Sequence, residues 1–122
     1  MRVLIVEGDQ ALSRVWKRHL ERHGASVMLA ASQSAAVERL QENPVNVIVL
    51  SLDLSEGSAF AVADFASYRH PEARVVFVTR STFFSDGSIF QLIPNTAAYI
   101  ASETPPEDLA AIVEHHGHAS PI

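Results

Sequence analysis

Five short apolar runs recur along the chain: "RVLIV" (2–6), "SVMLA" (26–30), "VNVIVL" (45–50), "ARVVFVT" (73–79) and "AAYI" (97–100), and a helix-patterned segment follows each of them. Near-continuous apolar strands belong to parallel sheets covered on both faces, because the apolar–polar alternation of a half-exposed strand is lost when neither face meets water. The first intervening segment, "DQALSRVWKRHLERHG", sets Leu12, Val15, Trp16, Leu20 and His23 at helical spacing, with Asp9 as N-cap and Gly24 as a C-terminal stop. "SQSAAVERLQEN" starts at Ser32 or Ser34 and ends before Pro44, "SAFAVADFASYRH" ends before Pro71, and "PEDLAAIVEHH" opens with Pro106 in its first turn. "SDGSIFQLIPN" is the remaining helical segment, with Gly87 inside it and Pro94 at its end. Strands alternating with helices in this way predict an α/β fold, a single doubly wound (βα)5 domain built on a five-stranded parallel sheet with right-handed crossovers.

At 122 residues the chain has the size of one core. Residues 1–117 are expected to form that domain and 118–122, "HASPI", a flexible tail. Zero cysteines exclude disulfides, thiol catalysis and cysteine-based zinc sites, and a net charge of −5 argues against direct nucleic-acid binding by the domain. Basic residues do gather in "RVWKRHLERH", which reads as a solvated helix face. No apolar run approaches the length that spans a bilayer, and "MRVLIVEGD" meets acids too early for a signal peptide, so no membrane contact and a cytoplasmic location are expected.

In open parallel sheets the functional crevice lies outside the carboxyl ends of the strands, where the strand order reverses. Here that rule selects Glu7, Gly8 and Asp9 after the first strand, Ser51, Leu52 and Asp53 after the third, Thr79 and Arg80 after the fourth, and residues 101–103 after the fifth. No glycine-rich phosphate loop of the GxxxxGK[ST] or GxGxxG type follows the first strand, which excludes the usual nucleotide-binding versions of the architecture.

Taken together, "MRVLIVEGDQ", "VNVIVLSLDLSEGSAF", "RVVFVT" and "AAYIASETPPEDL" make nearly the whole chain similar to the receiver domain of two-component response regulators. The resemblance implies the flavodoxin-like strand order 2-1-3-4-5. It also implies a set of positions at which this sequence departs from the family. The paired acids that hold Mg²⁺ correspond to Glu7 and Gly8, the phosphoacceptor aspartate to Ser51, the phosphoryl-binding lysine to Ser102 and the proline after the acceptor to Ser55, while Thr79 and Tyr99 match the switch pair. A serine hydroxyl is neutral and needs a base to become a nucleophile, and Mg²⁺ needs well-placed carboxylates, of which Glu7 alone stands in its usual place.

The expectation is therefore a degenerate receiver, or pseudo-receiver: no enzyme, no cofactor, and signalling through protein contact without phosphorylation. The alternative is a working phosphoacceptor at the displaced Asp53 with Mg²⁺, with Glu7 and Asp9 as weak metal candidates. Arg80 stands where the family usually keeps a small residue, and its guanidinium is expected either in water or paired with Glu7 or Asp53 in place of the lost metal and lysine. The resemblance implies a partner such as a histidine kinase or another response regulator, or a homodimer through the face of the family's fourth helix, fifth strand and fifth helix, here residues 85–116. Phe83, Phe84, Ile89 and Phe90 are the candidate contact residues. His115, His116 and His118 in "EHHGH" lack the i, i+4 spacing of a helical zinc site and read as solvated.

Overall fold

The apolar runs form strands β1 (Arg2–Val6), β2 (Ser26–Ala30), β3 (Val47–Ser51), β4 (Arg74–Thr79) and β5 (Thr96–Ala101) in a computed structural model of the chain. The structure describes residues 1–54, 56–80 and 95–117. All strand pairings are parallel, in the order β2-β1-β3-β4-β5, as the sequence pattern and the resemblance together predict. Helices α1 (Gln10–Arg22), α2 (Gln33–Glu42), α3 (Ala59–Arg69) and α4 (Pro106–Gly117) fill four of the five predicted helical segments. The fifth, "SDGSIFQLIPN", lies almost wholly outside the described residues, as do the predicted tail at 118–122 and Ser55.

β3 lies at the centre, and every one of its residues is buried. Although the strand shows no polar alternation, its side chains still divide by the two-residue period. Ile48 and Leu50 join Leu4, Val6, Val75 and Phe77 under α2 and α3, whereas Val47 and Val49 join Val3, Ile5, Val76 and Val78 under α1 and α4. Each large side chain buried in this way contributes on the order of 2 kcal/mol relative to exposure. The sheet thus has two cores, and no polar side chain of its interior strands is needed before Ser51.

The helix ends follow their sequence signals. Asp9, Ser32 and Ser58 cap α1, α2 and α3, each side chain accepting a hydrogen bond from the N–H three residues on. α1 is rotated from its expected face: Ser13, Trp16 and Leu20 are buried and Leu12 partly so, whereas Val15 is 38% exposed. Ser13 can enter the core because its hydroxyl donates to the Gln10 carbonyl at 3.1 Å, and His23 instead reaches outward to Glu114 of α4, 2.7 Å away. At the far end of the other layer, the His70 ring donates to the Leu40 carbonyl (2.6 Å) and Arg69 to the Gln41 carbonyl (3.2 Å), covering the last carbonyls of α2.

Among the described residues two glycines have positive φ, Gly24 (88°) after α1 and Gly57 (85°) before α3. A Cβ at Gly24 would meet nothing, but at Gly57 it would run into the Cβ and amide of Gln33, where the loop passes closest to α2. Gly24→Ala is therefore expected to cost about 1 kcal/mol from backbone strain alone, and Gly57→Ala clearly more. Urea unfolding of the two variants checks this; equal losses would show that the contact with Gln33 carries no weight.

Candidate functional site

The carboxyl ends of β1, β3 and β4 meet where the strand order reverses, between β1 and β3. Glu7 directly follows β1, and its N–H donates to the Ala30 carbonyl at 3.0 Å, continuing the pairing with β2. It is buried, 2% exposed; Oε2 accepts the Asp9 N–H at 3.2 Å, while Oε1 is buried with no hydrogen-bond partner. Gly8 supplies no side chain. The Asp9 carboxylate is divided between two tasks: Oδ1 accepts the Leu12 N–H at 3.2 Å as the α1 cap, and Oδ2 lies 3.7 Å from Arg80 Nη2.

Ser51 closes β3, paired in register with Val78, and is 2% exposed. Its Oγ accepts the Asp53 N–H at 3.2 Å, a local turn bond of the kind short hydroxyl side chains favour. The next N–H, of Leu52, donates to the Val78 carbonyl at 2.9 Å, so the chain follows β4 for one more step before leaving the sheet. Asp53 is exposed, and its Oδ2 accepts the main-chain N–H of Arg80 at 3.2 Å. The expected pairing of the Arg80 guanidinium with Glu7 or Asp53 is thus corrected: the side chain meets Asp9, and Asp53 holds the Arg80 backbone. Glu7 lies too deep for an arginine whose side chain is 52% exposed, so the outer carboxylate of the acidic turn receives it.

Across the mouth, the Thr79 carbonyl accepts the Ser102 N–H at 2.9 Å. Ser102 Oγ, where the resemblance implies the family's lysine, donates to Glu103 Oε2 at 3.3 Å. Tyr99 sits on the edge strand in register with Phe77 and is 40% exposed. Phe83, Phe84, Ile89 and Phe90 lie outside the described residues.

Of the groups converging here, the exposed carboxylates of Asp9 and Asp53 are engaged with Arg80 and with main-chain N–H groups, and Ser51 Oγ already serves as an acceptor. Glu7 Oε1 is buried without a partner and Asp53 is engaged through Oδ2, and a Mg²⁺ ion requires several hard oxygens in near-octahedral array. Among the described residues no group of three or more His, Cys, Asp and Glu side chains is placed to hold a metal ion. His115 and His116 stack edge to face, their ring centroids 5.1 Å apart, at the end of α4. Burial, with the neighbouring His115 and Arg74, holds the His116 imidazole below its ordinary pKa.

One feature escapes the sequence entirely. The loop from β3 to α3 is fastened to the start of α2: the Glu56 carbonyl accepts the Gln33 N–H (3.2 Å), Ser34 Oγ donates to Glu56 Oε1 (2.7 Å), and the Ser58 N–H donates to Gln33 Oε1 (2.8 Å). Residues more than twenty positions apart make these bonds, and no local motif announces them. They fix the far side of the loop that carries Asp53.

The fold and this geometry define a receiver. The chain belongs to the response regulator receiver domain family, whose model matches residues 3–114. It is 28% identical over 78 residues to the response regulator receiver protein CpdR of Brucella abortus (strain 2308), a match covering 64% of this chain; the chain spans 65% of that relative's length. Among solved structures it is similar to a CheY-like receiver domain protein from Methanospirillum hungatei JF-1 (TM-score 0.85, 24% identity, 95% of this chain and 92% of that one). It is also similar to the non-phosphorylated HemR receiver domain from Leptospira biflexa (TM-score 0.86, 21% identity, 99% of this chain and 97% of that one). At these identities the structural likeness speaks for the fold. No described helix is long and apolar enough to cross a membrane.

The double duty of Asp9 separates two variants. Asp9→Ala removes both the cap and the ion pair and is expected to cost about 1 kcal/mol or more, whereas Arg80→Ala removes an exposed pair worth less than about 0.5 kcal/mol. Chemical denaturation of both decides the order; a larger loss for Arg80→Ala would mean that the ion pair, and not the cap, holds this corner.

Proposed function

We propose that this receiver is degenerate: it acts in signalling, in the cytoplasm, by protein contact that requires neither phosphorylation nor Mg²⁺. The observation that carries the reading is Ser51. It stands at the end of the central strand, where the resemblance places the family's acceptor aspartate, as a buried neutral hydroxyl whose oxygen already accepts the Asp53 N–H. Phosphoryl transfer to a carboxylate draws on an anionic nucleophile, a metal ion and a cationic side chain that together neutralise the transition-state oxygens. Serine in that role needs a positioned base, and the described histidines lie on helices or at their ends, away from the crevice.

Arg80 supports the same reading. Its guanidinium lies over the acidic turn, paired to Asp9, and its main chain is held by Asp53, so the cation at this mouth belongs to the protein. The contact surface of such a module is complete in the unmodified protein, and its partner is a histidine kinase, another response regulator or a second copy of the chain.

Incubation with acetyl phosphate and Mg²⁺, read by intact mass, is expected to leave the protein unmodified. Ser51→Asp is expected to remain unmodified as well, since Gly8 and Ser102 still lack the second carboxylate and the lysine. A stoichiometric phosphoryl adduct on the wild-type chain would overturn the reading, and mapping it to Asp53 would establish the displaced acceptor in its place.

A further inference from the structure

α1 carries four of the chain's nine lysines and arginines but, in Glu21, only one of its fourteen acids, although the chain as a whole has a net charge of −5. Arg14, Arg18 and Arg22 are exposed, four residues apart, and none has an ion pair among the described residues. That spacing sets them on one outward ridge of the helix, each about 6 Å along the axis from the next. Like charges at this spacing destabilise a helix that has nothing to set against them. α3, on the opposite face of the sheet, presents a ridge of the same spacing. Phe60 is 37% exposed, Asp64 is exposed and Tyr68 is 84% exposed, while Ala59, Val62, Ala63 and Ala66 face the core. The basic groups at the end of α3 are turned away, Arg69 to the Gln41 carbonyl and His70 to the Leu40 carbonyl of α2. Asp64 has no ion pair among the described residues.

The two ridges complement each other. A guanidinium forks onto a carboxylate and stacks on an aromatic face, so three arginines in line match an acid flanked by two rings. Three of the four large apolar side chains left exposed among the described residues lie on or beside these ridges: Phe60, Tyr68 and, next to Arg14, Val15. Rows four residues apart are also the ridges by which helices most commonly interlock. We infer that copies of this chain associate head to tail, the α1 ridge of one against the α3 ridge of the next, with Arg18 on Asp64 and the outer arginines on Phe60 and Tyr68. Because the two surfaces differ and lie on opposite faces of the sheet, each added copy leaves one of each free, and assembly grows past a dimer. The net negative charge repels copies at long range, but physiological salt screens that repulsion beyond about 8 Å, whereas charges in contact are screened much less. This contact deepens the proposed function by naming a second copy as the partner, and it draws on no residue of the crevice.

Sedimentation velocity of the untreated full chain in about 0.15 M salt, across a concentration series up to about 1 mM, is expected to show a mass that rises with concentration and passes that of a dimer. Arg18→Glu, Asp64→Lys and Tyr68→Ala each alter an exposed side chain and should weaken association at least about tenfold, with an unchanged circular dichroism spectrum. An equimolar mixture of Arg18→Glu and Asp64→Lys should regain association, because each keeps the surface the other has lost and the two reversed charges also attract. The acetyl phosphate experiment bears on phosphorylation and this one on the helices, so the proposed function and the contact can fail separately. A chain that stays monomeric to about 1 mM would overturn the contact, as would assembly that stops at a dimer. So would association unchanged in folded Arg18→Glu or Asp64→Lys, which would place it on another face, or a mixture no more associated than its parts.

Discussion

A parallel strand buried on both faces leaves polar chemistry nowhere to go but its end. β3 is buried along its whole length, flanked by β1 and β4 and covered by helices on both sides, so side chains that need water or a partner are displaced to its carboxyl terminus. Glu7, Ser51, Asp53 and Arg80 are gathered by that constraint. The same constraint would gather them whether or not they retained the family's reaction, so the fold by itself does not decide the chemistry.

The strand ends are joined by a run of contacts. Ser51 holds the Asp53 N–H, Asp53 holds the Arg80 N–H, and the Arg80 side chain reaches Asp9, which caps α1 and whose N–H is accepted by Glu7. The ion pair in this chain of contacts is half-exposed and contributes little by itself. Its members are positioned by stronger neighbours: the sheet pairing that continues through Leu52 and Glu7, the helix cap, and the clasp between the Asp53 loop and the start of α2.

Strand positions and helix caps were legible in the sequence, because each rests on local periodicity or on the identity of one residue, and the strand order followed from the family resemblance. The rotation of α1 was not legible. Val15 fits the apolar period as well as Ser13 does, and only the hydroxyl's bond to the Gln10 carbonyl lets the smaller residue face the core. The partner of Arg80 depended on depth: Glu7 and Asp9 are two residues apart in sequence, yet one is buried and the other reaches the surface. The Gln33–Glu56–Ser58 clasp joins the start of α2 to the loop before α3, more than twenty residues on, and a reading along the chain has no signal for it.

The central claim, that the strand-end network no longer answers to a phosphoryl group, is tested most directly with a mimic that needs no covalent transfer. Beryllium fluoride with Mg²⁺, added to the isotope-labelled chain, is expected to leave the amide spectrum superimposable on that of the untreated protein, including Asp53, Thr79, Arg80 and Tyr99. Saturable shifts of those residues together, requiring both the fluoride complex and Mg²⁺, would contradict it and show that the crevice still binds the metal and the phosphoryl mimic as a functional receiver does.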